Sequence, residues 1–224
     1  MDLNNTSAIV TGAGSGLGEA CARHLASLGA TCIVVDLNEE KGQAVAKDIG
    51  GQFVKADVSN TEQVQAAVDA AIAIAPLRAL VNGAGIGSAG RTVDRSGKPF
   101  DLASFEMVLR VNLIGTFNCI RLAAAAMSKQ EPLDDQGQRG AIVNMASVAA
   151  FDGQIGQCAY SASKGGVVGM TLPIARDLAA SGIRVNTIAP GLFNTPIYGE
   201  GEASEAFKAH LGASVLFPKR LGYP

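Results

Sequence analysis

Tyr160 and Lys164 stand four positions apart in Cys158-Ala159-Tyr160-Ser161-Ala162-Ser163-Lys164, a helix-compatible segment, so their side chains share one face. A phenol with an ordinary pKa of about 10 is a poor base at neutral pH, and a nearby ammonium group stabilises its phenolate and lowers that value. Ser147 stands just past a β-like run, where its hydroxyl can hold a reacting oxygen. Tyr160 can then remove an alcohol proton as hydride leaves carbon, or supply it in the reductive direction. Taken alone, Tyr-x-x-x-Lys also describes an amphipathic tyrosine beside a snorkelling lysine. Asn112 joins the candidates because it interrupts the apolar segment Val108-Leu109-Arg110-Val111-Asn112-Leu113-Ile114, where a poor helix former needs a hydrogen-bonding reason. Two readings of it stay open: the anchor of a water chain to Lys164, and a satisfied structural amide.

Hydride chemistry needs a carrier, and Thr11-Gly12-Ala13-Gly14-Ser15-Gly16-Leu17-Gly18 is shaped to hold one. Gly12 permits a sharp turn, Gly16 lets a pyrophosphate approach the backbone, and Gly18 allows close packing of helix on strand. The N-terminus of the helix that follows faces the phosphates. The next strand-like run, Cys32-Ile33-Val34-Val35, ends in Asp36, eighteen residues beyond Gly18 and near the spacing of a ribose-binding acid. A carboxylate there repels a 2′-phosphate, and Leu37-Asn38-Glu39-Glu40 bring no cation beside it, which favours NAD over NADP. Asp57-Val58 and Asn82-Gly83-Ala84-Gly85 follow two further strand-like runs. Asp57 can accept from an adenine amino group, and Gly83 lets the backbone approach a cofactor, although each alone also reads as loop chemistry.

The elements that must position these residues alternate. Six β-like runs, Ala8–Val10, Cys32–Val35, Gln52–Lys55, Ala79–Val81, Ala141–Met145 and Arg184–Ile188, are separated by segments of helical period. That is the pattern of a doubly wound α/β Rossmann domain with a mostly parallel sheet and helices on both faces, and residues 1–224 read as one such domain. Polar stretches at 87–98 and 129–139 read as surface loops. Residues 192–217 read either as a lid over an acyl chain or as an ordinary surface helix.

Composition narrows the alternatives. The 224 residues are 48% hydrophobic and 17% charged, which excludes a disordered chain. Eighteen Lys+Arg against 20 Asp+Glu leave a net charge of −2 with no basic block, so nucleic acid is not expected as the principal ligand. Four scattered cysteines fit a reducing compartment, and two distant histidines, His24 and His210, give no metal or Ser-His pattern. Apolar runs are interrupted before about 18 residues, so no membrane span is expected. The start lacks a leader-like pattern, which points to a cytoplasmic protein, or a mitochondrial one in a eukaryote.

The sequence resembles the classical short-chain dehydrogenase/reductase family through TGAGSGLG (11–18), NGAG (82–85), Asn112, Ser147, YSASK (160–164) and PG (190–191). The resemblance implies catalytic roles for Asn112, Ser147, Tyr160 and Lys164, with Lys164 also holding the nicotinamide ribose. Gly140–Pro196 is similar, more narrowly, to the type 2 short-chain 3-hydroxyacyl-CoA dehydrogenases, which also act on hydroxysteroids. That similarity implies NAD contacts at Ser15, Leu17, Asp36, Asp57, Val58, Gly83, Tyr160, Lys164, Phe193 and Thr195, and a substrate site bordered by Gln154 and Gln157. It implies hydride transfer between NAD and the 3-hydroxy or 3-oxo carbon of acyl-CoA substrates, as in fatty-acid or branched-chain amino-acid breakdown, and a homotetramer or dimer. A 3-oxoacyl carrier-protein reductase, a hydroxysteroid dehydrogenase and an NAD-binding scaffold without turnover are the competing readings. After Phe217–Pro224 the family continues with a helix and a seventh strand, so six strands are expected here, the sixth an exposed apolar edge.

Overall fold

The strands are β1 (Thr6–Thr11), β2 (Ala30–Asp36), β3 (Gln52–Lys55), β4 (Leu77–Asn82), β5 (Gly140–Met145) and β6 (Ile183–Ile188). In the computed structural model they pair in parallel throughout, in the order β3-β2-β1-β4-β5-β6. The structure describes residues 1–87, 89–199 and 201–224; Ser88 of the first predicted loop and Glu200 of the predicted lid lie outside them.

Burial explains why the runs were legible. Every residue of β1 and β4 is buried, as expected for central strands covered on both faces, so they read as near-continuous apolar runs. On one face pack α3 (Thr61–Ile74) and the long helix made of α4 (Leu102–Leu109), a π-helical stretch (Arg110–Gly115) and α5 (Thr116–Met127). α6 (Cys158–Ala179) packs on this same face, its Ile174 joining the cluster of Val64, Cys119 and Ile120, while α1 (Gly16–Ser27) and α2 (Glu39–Asp48) cover the other face and α7 (Glu202–Ser214) follows β6. Asn38, Asn60 and Asp101 cap α2, α3 and α4 by accepting a hydrogen bond from the third residue beyond, which fixes where the chain leaves the strand ends.

Two expectations change. Leu102–Met127 forms a helix of 26 residues that by length and composition meets the requirement for a membrane span, though none was expected. Val108, Cys119, Ile120 and Met127 are buried in it, and the last three join the core on the sheet, so a core helix accounts for the apolarity. The sixth strand is indeed the sheet's edge; Arg184, Asn186 and Ile188 are its exposed residues while Ile183 and Val185 are buried, so the edge mixes polar side chains with one exposed apolar one.

The chain order reverses between β1 and β4, and there the carboxyl ends of neighbouring strands part to leave a crevice. Register places Thr11 beside both Val35 and Asn82, so the glycine loop, Asp36 and the Gly83 turn all begin at that edge.

Candidate active site

A cleft of about 630 Å³ opens at this crevice, within the range of a small-molecule site. Its lining brings together Gly12, Ser15, Gly16, Leu17, Gly18, Asp36, Asp57, Val58, Gly83 and Thr195 of the predicted residues. Gly12 has φ 64°, and a Cβ there would lie 2.7 Å from backbone atoms of Ala84, so only glycine joins the two loops this closely. Ser15 precedes α1 without capping it through its side chain, which leaves first-turn N–H groups for an anionic ligand.

At the next strand end Asp36 accepts from Gly14 N (2.8 Å) on Oδ2 and from Asn38 N (2.9 Å) on Oδ1. Each oxygen keeps acceptor capacity for a ribose hydroxyl. Lys55, on the neighbouring strand, is paired with Glu39 rather than with Asp36. Farther along, Asp57 Oδ1 accepts from Ser59 N and Ser59 Oγ (2.9 and 2.8 Å), while Val58 N–H donates to no acceptor among the described residues. Free N–H groups, two acidic strand ends and a cleft of this volume fit a dinucleotide.

Beyond Gly85 stands the second group. A Cβ at Gly85 would lie 3.2 Å from Asn112 Oδ1 and 3.5 Å from Lys164 Nζ, so this turn separates the cleft from the catalytic candidates. Asn112 is fully buried in the π-helical stretch, a distortion often found at functional sites. Its Oδ1 accepts from Ile86 N (2.8 Å), and its Nδ2 donates to Ile86 O (2.9 Å) and Ser163 Oγ (3.0 Å). Its carbonyl accepts from Thr116 Oγ1 (2.8 Å). Both amide protons are therefore spent on tying the β4 loop to α6, so the side chain is a satisfied structural amide.

Lys164 is buried, and its Nζ donates to Met145 O (2.7 Å) at the end of β5. Burial pushes its pKa down to about 8. Its Nζ lies 5.7 Å from the Tyr160 ring centroid. The expected depression of the Tyr160 pKa is not what this geometry produces. Burial raises the phenol, the hydrogen bond with Ser147 opposes that rise, and the ammonium is turned to the Met145 carbonyl instead. Ser147 also accepts from Ala149 N (3.1 Å), which sets its hydroxyl beside α6.

Several predicted residues stand apart from the cleft. Asn82 is buried beneath it, its Nδ2 donating to Asn144 Oδ1 (2.9 Å) across β4 and β5. Phe193 packs on Gly222 of the terminal segment, while Thr195, two residues on, reaches the glycine loop. Gln154 and Gln157 make a turn before α6, Gln154 N donating to Gln157 Oε1 (3.0 Å), and Gln154 is exposed. The segment 192–217 is partly helical, as α7, and its Tyr198 meets Phe207 edge-on at 5.9 Å between centroids. Sequence reasoning missed Tyr198, which lies close enough to Tyr160 for their charges to interact. It also missed Ser163, whose hydroxyl bridges Asn112 to Tyr160 O (2.7 Å). Among the described residues no group of His, Cys, Asp or Glu is placed to hold a metal ion.

Comparison with known proteins agrees with this arrangement. Residues 6–206 match the short chain dehydrogenase family. The chain is 50% identical to 3-hydroxyacyl-CoA dehydrogenase type-2 of Drosophila melanogaster over 226 residues, covering 99% of this chain and 88% of that one. It is 51% identical to the protein of that name from Homo sapiens over 221 residues, covering 97% and 84%. Its fold superimposes on a crystal structure of 3-hydroxyacyl-CoA dehydrogenase type-2 from Mycobacterium avium with a TM-score of 0.91 and 45% identity, covering 98% of this chain and 85% of the other. With a parallel sheet reversing at β1 and β4 and a Ser-Tyr-Lys group beside the crevice, the chain belongs to the short-chain dehydrogenase family of oxidoreductases.

Proposed function

We propose that this chain transfers hydride between NAD and the 3-hydroxy or 3-oxo carbon of an acyl-CoA. The observation that carries the reading is the placement of Lys164 beside Gly85, with Tyr160 and Ser147 next to it, at the end of a cleft lined by the Asp36 carboxylate. The names of the most similar relatives support the substrate class. A bound nicotinamide would supply the hydride donor or acceptor. Asp36 would take the adenosine ribose hydroxyls, the first turn of α1 the pyrophosphate, and Asp57 with Val58 the adenine edge.

The protein's own groups manage the proton. Ser147 hydrogen-bonds the substrate oxygen and orients it toward the Tyr160 hydroxyl. Because burial raises the Tyr160 pKa, the phenol carries its proton at neutral pH and is ready to give it to a 3-oxo oxygen. Oxidation of the alcohol needs the phenolate and is favoured at higher pH. Lys164, held by Met145 O, would hold the nicotinamide ribose from within the fold.

The acyl-CoA reading gains support from a hairpin at the β4–α4 connection. Gly90 N donates to Gly156 O (2.8 Å), which seats it beside the Gln154–Gln157 turn, and Arg91, Arg95 and Lys98 are exposed on it. These cations suit a phosphate-bearing substrate tail. A homo-oligomer is proposed as well: Met107, Ile114 and Phe117 on the long helix and Leu172 on α6 leave large apolar side chains exposed, which a second copy would cover.

The deciding assay follows loss of NADH absorbance with acetoacetyl-CoA, in parallel with NADPH and with Tyr160→Phe. NADH-dependent turnover that the substitution abolishes, with NADH binding spared, is expected. Bound NADH without turnover in the unsubstituted chain would overturn the reading.

A further inference from the structure

We propose that Asn118 is a positioning residue that sets the adenine specificity of the cleft; the inference rests on the cofactor reading above. Asn118 does not line the cleft. It is buried on α5 within the apolar run Phe117-Asn118-Cys119-Ile120, where an amide has to be satisfied by something outside its own helix. Its Nδ2 donates to Val58 O (2.8 Å), sixty residues away in the chain.

The amide has one orientation. Its Oδ1 accepts from Arg121 Nε (3.1 Å) and Nη2 (2.7 Å), and from Thr61 Oγ1 (3.3 Å), while Arg121 Nη2 also donates to Thr61 Oγ1 (2.9 Å). With donors gathered on the oxygen, the NH2 group must face the Val58 carbonyl. Behind the same residue Gly115 brings the helix close: a Cβ there would lie 2.5 Å from Val58 Cγ2. On the other side Asp57 Oδ1 holds Ser59 N at 2.9 Å. Val58 is thus pinned at its carbonyl, at its side chain and at the following peptide, and the group left free is its own N–H.

That arrangement has a chemical consequence. The edge of adenine offers a ring-nitrogen acceptor and an exocyclic amino donor, which match the Val58 N–H and the Asp57 carboxylate. Hypoxanthine reverses both, offering a ring N–H and a carbonyl oxygen. The preference for adenine therefore depends on how firmly Val58 is held, and Asn118 holds it without touching the base.

The test measures binding of NADH and of reduced nicotinamide hypoxanthine dinucleotide by fluorescence, for the unsubstituted chain, Asn118→Asp and Arg121→Met. Asn118→Asp keeps the size and the Arg121 partner but turns an acceptor toward Val58 O. Its Kd for NADH is expected to rise about 10-fold with that for the hypoxanthine cofactor changed by less than about 2-fold, and kcat at saturating NADH to stay within about 2-fold. Arg121 is exposed, and its replacement frees the amide to turn, with an expected loss of preference of about 3-fold. Equal weakening of both cofactors by Asn118→Asp, or no weakening, would overturn the proposal. Should that variant fail to fold, Arg121→Met decides, an unchanged preference overturning it. Failure of the unsubstituted chain to bind either cofactor would refute the cofactor reading itself.

Discussion

Lys164 buries an ammonium group against one carbonyl oxygen, and that burial brings its pKa from 10.5 to about 8. Between those values the unfolded chain holds a proton that the folded chain has released, so this lysine makes stability rise with pH across the window. At lower pH the cost of the buried charge is fully present. At roughly 1.36 kcal/mol per unit the whole effect is about 3 kcal/mol, of which about 1 kcal/mol is recovered between pH 7 and pH 9. Other groups act oppositely: burial raises the Cys32 and Cys119 thiols to about 11 and about 12, so their unfolded forms ionise first and stability falls as pH rises through the ordinary value of 9.0. The informative quantity is therefore the difference between the chain and Lys164→Met, from which the cysteines cancel. Urea unfolding at pH 7, 8 and 9 should show that difference moving in favour of the unsubstituted chain by about 1 kcal/mol, equivalent to about 2–4 °C in Tm. A difference that stays constant over the range would show that Lys164 keeps its charge throughout, and would refute the reasoning.

Two other substitutions probe the frame around the site. At Gly14 a Cβ would lie 2.9 Å from Asp36 Oδ2, so Gly14→Ala should displace the carboxylate and raise KM for NAD about 10-fold with little change in kcat, a KM unchanged in the variant counting against Asp36 as the ribose acceptor. Arg78 is buried at the far end of β4, donating to Arg139 O (2.9 Å) and Glu131 O (2.8 Å), so Arg78→Met should cost about 2–3 kcal/mol by orphaning those carbonyls. Its KM values should match those of the unsubstituted chain, and a calorimetric Tm within a degree of it would refute the estimate.

What the sequence made legible and what it hid divide along a physical line. The glycine loop and Asp36 belong to one βα unit, where turn geometry and a strand end confine the partners to neighbours in the chain. Asn112, Asn118 and Lys164 instead satisfy themselves with Ser163, Val58 and Met145, at separations of 51, 60 and 19 residues, which spacing cannot reveal. The signal that an amide in an apolar helix needs a distant partner was nonetheless present twice in one helix, at Asn112 and at Asn118, and the same reasoning applies to both. The tyrosine and lysine teach the converse. Four positions of separation do place them on one face, yet where an ammonium points is decided by which acceptor its surroundings leave unpaired. Here β5 ends with Met145 O available, so Lys164 turns to it, and the balance of charge at Tyr160 passes to burial and Ser147. The phenol keeps its proton at neutral pH as an ordinary tyrosine would, and burial only strengthens that hold.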